Sequence, residues 1–371
     1  MFGTILLTAT ALMVGYIFWR MGDTLLLDRL SWPIRLGLGV LSWVFVWFGR
    51  VFGHGHDGQW APIIELAGMN LLVIIFLTFV TLLFVDIITG FGFFLPRIAP
   101  KLRGAAVLAG LLLSGLAMVQ GLRAPVITEY EVALPGLPGD LDGMVIAGLS
   151  DLHIGSQLDT DWLKARIEQT MAMQPDMIVL LGDIFEGHSL DSDALLPVLR
   201  TLRAPLGVFA VQGNHEQYGR EGNPMQLMAD AGFNVLLNQW QSPASGLTMA
   251  GVEDLTIHSR MAAPTDPITE TLTKRPTGAT ILLSHTPLRT AEAGAKDVGL
   301  MLSGHTHAGQ VWPFGYLVRL RYPLLEGRHE VDSMTVIVCR GTGMWGPRMR
   351  LWEPSEILRI TLRSKNDHQS D

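Results

Sequence analysis

Residues 143–153 read GMVIAGLSDLH, an apolar run that stops at Asp151 and His153. Small and β-branched side chains over that length are the mark of a buried strand, and the polar pair falls where the strand gives way to a loop. The arrangement recurs down the chain. Residues 177–181 lead to Gly182 and Asp183, and residues 207–211 to Gly213, Asn214, His215 and Glu216. Residues 280–283 stop at Ser284 and His285, and residues 300–302 lead to Gly304, His305, Thr306 and His307. Five apolar strands that each end in a carboxylate, an amide or an imidazole predict loops converging along one edge of the sheets. Oxygen and imidazole donors in that mixture suit two first-row transition ions that share one carboxylate. Gly182, Gly213 and Gly304 each precede a ligand, which predicts a sharp turn or a close pass of one loop by another.

Further strands are read at 248–252, 334–339 and 357–361, with helices between them. The clearest helix is 160–173, capped by Asp159 or Thr160 and carrying Leu163, Ile167 and Met171 on one face as core packing. Cys339, the only cysteine, belongs to the strand 334–339 and is read as a core residue, so no internal disulfide is possible.

The five blocks, in this order, resemble the calcineurin-like metallophosphoesterase family over about residues 143–363. The resemblance implies an α/β fold, a four-layer α/β/β/α sandwich, and two divalent metal ions (manganese, iron or zinc). By the same resemblance the first ion takes Asp151, His153, Asp183 and His307, and the second shares Asp183 and adds Asn214, His285 and His305. Every ligand position is filled. Ala308 is a departure, because relatives with an HTHGGQ run carry glycine there, but it alters only the loop after the ligands. His215 is implied to protonate or stabilise the leaving oxygen, while Glu216 is read as a support for His215 or a ligand histidine, or as a solvent-facing residue.

Composition separates the chain into parts. Residues 1–123 hold eight basic and five acidic residues, whereas residues 124–371 hold 19 basic and 29 acidic, an excess of ten negative charges that excludes a nucleic-acid polymer as partner. The expected organisation is a transmembrane helical segment at 1–123, a proline- and glycine-rich linker at 124–142, the metallophosphoesterase domain at 143–363 and a polar tail at 364–371.

Four apolar runs, about 2–19, 31–49, 63–85 and 104–122, are each near the length that crosses a bilayer as a helix. Glu65 and Asp86 are expected to flank the third at the interfaces, with Asn70 inside it. Arg20, Arg29 and Arg35 follow the first run, and Arg97, Lys101 and Arg103 precede the fourth, so those loops should face the cytoplasm. With four crossings the catalytic domain then lies outside the cytoplasmic membrane, in the periplasm of a two-membrane bacterium. His54 and His56, in a glycine-rich loop, are read as solvated, and His188, His258, His329 and His368 match no block.

These readings converge on a multi-pass, membrane-anchored hydrolase of a phosphomono- or phosphodiester, acting by attack of a metal-activated hydroxide on an envelope or lipid-linked substrate. Arg340 and Arg348, with Arg350 nearby, are candidates for holding a second anionic group. The stretch from Val311 to Leu325, apolar and aromatic but for Arg319 and Arg321, is read either as an acyl-chain contact or as a loop closing the fold. The competing enzyme reading is a pyrophosphatase of a UDP-linked lipid precursor, which requires the cytoplasmic face. The competing non-enzyme reading is a membrane phosphate sensor or transporter.

Overall fold

In the computed structural model, the described residues are 2–24, 29–53, 58, 60–155, 157–186, 191–217, 222–260 and 266–364. The expected polar tail beyond residue 364 lies outside them. The chain divides into two compact units, one formed by Met1–Arg123 with Gly346–Trp352 and the other by Ala124–Trp345 with Glu353–Asp371.

Among the described residues, the larger unit contains twelve strands: β1 (Val126–Leu134), β2 (Val145–Leu149), β3 (Met177–Leu180), β4 (Val208–Ala210), β5 (Asn234–Val235), β6 (Gln239–Ala244), β7 (Leu247–Gly251), β8 (Ala279–Leu283), β9 (Leu300–Ser303), β10 (Gly327–Val331), β11 (Met334–Val338) and β12 (Glu356–Ser364). They form two six-stranded sheets, ordered β1-β12-β2-β3-β4-β5 and β10-β11-β9-β8-β7-β6. Within the first sheet β2, β3 and β4 run parallel, and within the second β8 pairs parallel with β9. Their carboxyl ends therefore share an edge, and every ligand-bearing block follows one of these five strands.

Side-chain alternation explains the layering. Ile146, Met177, Val179 and Phe209 from the first sheet join Met249, Ile281, Leu300 and Leu302 from the second in one buried core. The intervening residues Ala147, Leu149, Ile178 and Leu180 turn the other way, onto Leu163 and Ile167 of the helix Thr160–Met171. Leu282 and Met301 likewise face Leu255, Ile268 and Leu272 on the far side of the second sheet. Helix, sheet, sheet and helix are the four layers the resemblance implies. The helix Thr160–Met171 starts where Asp159 accepts a hydrogen bond from the Trp162 N–H at 2.9 Å. Cys339 is fully buried.

One stretch differs from the linker reading. Residues 126–134 form β1, paired in parallel with β12 over nine residues. Pro125 and Pro135 bracket this strand without interrupting it, and only its second half, Val132 and Leu134, reaches the core. The sequence of the first half carries little alternation for a reader to detect.

The smaller unit is built from α1 (Phe2–Met21), α2 (Trp32–Phe48), α3 (Ala61–Ile88) and α4 (Ala99–Gly121), helices long and apolar enough to cross a membrane. Small residues let them approach: a Cβ on Gly68 would lie 2.8 Å from the Cα of Gly49. Asp86, expected at an interface, lies near the end of α3 and is fully buried among side chains. It is paired with Arg20 Nε at 2.6 Å, with Arg103 Nε at 2.8 Å and with the Tyr16 hydroxyl. The Asn70 amide oxygen accepts the backbone N–H of Arg348 at 3.1 Å.

Candidate metal centre

The ligand loops are held together by backbone before any side chain is considered. The Asp151 N–H donates to the Gly182 carbonyl at 3.0 Å and the His153 N–H to the Asp183 carbonyl at 3.1 Å. Glu216 then gathers the second and third loops, its carboxylate accepting the N–H groups of Asp183 (2.9 Å), Ile184 (2.6 Å), Phe185 (3.1 Å) and Gly213 (2.7 Å). Glu216 therefore does not face solvent, and what it holds is the backbone of the ligand loops, a role neither reading of it gave. The loops also pass as closely as the glycines predict. A Cβ on Gly213 would lie 2.1 Å from Asp183 Oδ1, and one on Gly304 would lie 1.8 Å from Ser150 Oγ.

The backbone is strained where the ligands sit. Asp151, His153, Asp183, His305 and His307 have φ of 53°, 48°, 51°, 71° and 49°. Each is a left-handed conformation that costs a non-glycine residue about 1–3 kcal/mol. Ala308 is in the same region at φ 53°, a conformation that glycine adopts without this cost.

The side chains face one another as electron-pair donors. His153 Nε2 lies 3.2 Å from His307 Nε2, and His305 Nδ1 lies 3.2 Å from His285 Nε2. His307 Nε2 is 3.4 Å from Asp151 Oδ1, and Asp183 Oδ2 is 3.1 Å from His285 Nε2 and 4.0 Å from His153 Nε2. Neighbouring ligands on a metal with bonds of about 2.1 Å stand roughly 3 Å apart, so these spacings fit a shared cation. Asp151, His153 and His307 offer atoms within 4.8 Å of one another, and so do Asp183, His285 and His305. Asn214 completes the set, because its Oδ1 is buried with no hydrogen-bond partner, an orphan that a metal ion would satisfy.

Outer hydrogen bonds fix which nitrogen each ring offers. His285 Nδ1 donates to the Leu181 carbonyl at 2.7 Å, leaving Nε2 for a metal. His305 is turned the other way, Nε2 meeting the Tyr322 hydroxyl at 2.9 Å and Nδ1 facing the centre. Glu186 holds two rings at once, His153 Nδ1 at 2.6 Å and His215 Nδ1 at 2.7 Å. Burial pushes the Glu186 carboxyl up, but the hydrogen bonds to His153 and His215 outweigh it and hold it well below the usual carboxylate range. Burial would lower His215, yet the charge of Asp183 and the hydrogen bond to Glu186 raise it to about 9. His305 is pushed down to about 3 by burial and by the neighbouring His285.

Six of the predicted ligands and His215 thus come together, and Asn214 sits on the same loop, between Gly213 and His215. Arg340 lies elsewhere in the larger unit, its guanidinium on Glu356 at 2.8 Å and near Glu326 at 3.9 Å. Arg348 belongs to the helical unit. His258 pairs with Glu253 and His329 with the Glu326 carbonyl, while His54, His56, His188 and His368 fall outside the described residues. Sequence reading missed Glu186 and Tyr322. Glu186 follows Asp183 by three residues, a faint signal, whereas nothing in the sequence around Tyr322 points toward His305.

The calcineurin-like phosphoesterase family model matches residues 144–309. An uncharacterized metallophosphoesterase of Aquifex aeolicus is 32% identical over 245 residues, 65% of this chain and 93% of its own length. The chain belongs to the calcineurin-like metallophosphoesterase family. A metallophosphoesterase of Campylobacter jejuni is 31% identical over 246 residues, and the match spans 65% of that protein, just under two thirds. A bovine transmembrane protein with a metallophosphoesterase domain is 29% identical over 274 residues, covering 70% of this chain and 62% of its own. Metallophosphoesterases use two divalent metals; three groups among the described residues could hold an ion, the third being His153, Glu186 and His215, which shares His153 with the first.

Proposed function

We propose that the protein is a membrane-anchored, metal-dependent phosphoester hydrolase acting on a phosphomono- or phosphodiester of the envelope, with a lipid-linked phosphate as the favoured substrate. The observation that carries the reading is the donor set around Asp183: imidazole nitrogens 3.2 Å apart and an orphaned Asn214 oxygen, which together require cations. Asp151, His153, Asp183 and His307 would hold one ion, and Asp183, Asn214, His285 and His305 the other. Bound there, two divalent ions supply Lewis-acid stabilisation of the phosphoryl oxygens and a water of lowered pKa.

The chain's own residues do the rest. Asp183 offsets the repulsion between the ions, and the His215 N–H donation to Asp183 Oδ1 at 2.8 Å fixes its carboxylate. His215 is poised as a protonated imidazole by Glu186 and lies 17% exposed at the rim, placed to give a proton to the leaving oxygen. Trp345 packs against His215 with ring centroids 6.1 Å apart in an edge-on arrangement.

The test is purified full-length protein loaded with manganese and offered bis(p-nitrophenyl) phosphate, with elemental analysis of the same preparation. Hydrolysis that needs about two ions per chain supports the reading, and binding of ions with no hydrolysis would favour a sensor. The distribution of arginines places the catalytic unit outside the cytoplasm in this proposal, and a reporter fused after Asp371 that works only in the cytoplasm would reverse it.

A further inference from the structure

The segment that follows the last ligand is tied at both ends to the metal centre and exposes an apolar turn between them. At its start Gln310 donates to the Trp345 carbonyl at 3.2 Å and accepts the Trp345 N–H at 3.1 Å. At its end Tyr322 meets His305, and the Leu325 carbonyl accepts the Thr306 hydroxyl at 2.6 Å. Between these ties the short helix Gly315–Arg319 and the residue after it present Tyr316 (66% exposed), Leu317 (57%) and Leu320 (84%). Spacings of three and four residues put all three on one face. Of the eight large apolar side chains exposed in the larger unit among the described residues, five lie in this short run, Trp312 and Phe314 being the other two. Apolar side chains gathered in this way mark an interaction surface.

Charge identifies what the surface meets. Arg319 and Arg321 are exposed beside Leu320, and residues 309–325 contain no Asp or Glu, although residues 124–371 carry ten more acidic than basic residues. Aromatic and aliphatic side chains flanked by arginines match the headgroup boundary of a bilayer, where the apolar parts enter the acyl region and the guanidinium groups stay with lipid phosphates. The acidic residues of a second copy of this chain could match the two arginines, but it offers no acyl region to take up Tyr316, Leu317 and Leu320. We propose that the turn Tyr316–Arg321 docks in the headgroup layer of an anionic membrane, so that a headgroup phosphoester arrives beside His305. The inference rests on reading the chain as membrane-anchored, and not on hydrolysis.

Leu320→Cys, labelled with an environment-sensitive fluorophore in the full chain, tests this; Cys339 is buried and the unsubstituted protein controls for its labelling. Gln241→Cys, on exposed β6 surface, is the reference. In nanodiscs containing phosphatidylglycerol, spin-labelled lipid should quench the label at 320 at least about twofold more than at 241, and Arg319→Glu with Arg321→Glu should abolish the difference. Equal quenching at both sites, energy transfer between copies in place of lipid quenching, or quenching indifferent to lipid charge would each overturn the proposal. Hydrolysis of bis(p-nitrophenyl) phosphate in the same samples separates the two readings: hydrolysis without quenching removes docking alone, and quenching without hydrolysis removes only the enzyme.

Discussion

Both units bury charge, and they resolve it in opposite ways. In the helical unit, Asp86 is enclosed by Arg20, Arg103 and Tyr16, so each oxygen of the carboxylate has a cation or a hydroxyl donor and the cluster is complete within the chain. In the larger unit, Asp151, Asp183 and four histidines turn ring nitrogens and carboxylate oxygens toward one another at 3.1 to 4.0 Å, and the partners of the two carboxylates are imidazoles in place of arginines. Burial of ionisable groups is therefore no guide to function by itself. The guide is whether donors meet acceptors or acceptors meet acceptors.

The sharpest way to break this comparison is to remove the shared carboxylate. Asp183→Ala should release both ions, read by elemental analysis, and reduce hydrolysis to background; two ions retained per chain would mean that Asp183 is not the bridge. His215→Ala comes next, with turnover lowered by about 10²- to 10⁴-fold while the metal content stays unchanged; loss of both together would make His215 structural. On the other side of the comparison, Asp86→Ala strands two buried arginines and should cost about 3–5 kcal/mol, seen as a lower unfolding temperature in detergent. Metal content per folded molecule should not change. Glu186→Gln weakens the hold on both His153 and His215 and should reduce metal affinity or turnover by about 10- to 100-fold.

The smallest effect concerns pH. The folded pKa of His215, about 9, lies above its ordinary 6.5. In protein stripped by a chelator, this group's contribution to stability is thus fully present below about pH 6.5 and lost as the pH rises through about 9. Adding metal should flatten that slope, because the ions neutralise Asp183, and a slope that persists with metal bound would point to another titrating group.

Much of this contrast was legible from residues alone. The five blocks could be read because each ligand follows a strand whose apolar run is unbroken, and strands buried on both faces leave strong sequence marks. The helical spans were legible for a similar reason, their apolar runs being long. The function of Asp86 was not, since pairing it requires Arg20 and Arg103 from helices far apart in the chain, and a single charge next to an apolar run looks the same at an interface as inside a bundle. Glu216 was read as a support for a histidine or as a solvent-facing residue, and the loop geometry instead puts its carboxylate on four backbone N–H groups. Strand β1 was hidden by its flanking prolines and exposed first half, and Tyr322 by a partner 17 residues away across a turn. Local patterns carry local structure, and partners brought by the fold must be found in the fold.

The pairing of β1 with β12 bears on how the protein is made. Strand β12, the last of the described strands to leave the ribosome, sits between β1 and β2 in the first sheet. During synthesis the nascent chain must hold the amino-terminal edge open, with the register of nine residues along β1 unfilled, until residues 356–364 emerge. The four apolar helices will by then have been translated for more than two hundred codons. A premature stop anywhere before residue 356 would therefore remove an inner strand, not a dispensable tail, and quality-control proteases would meet a split sheet in which β1 has lost the partner it pairs with over nine residues.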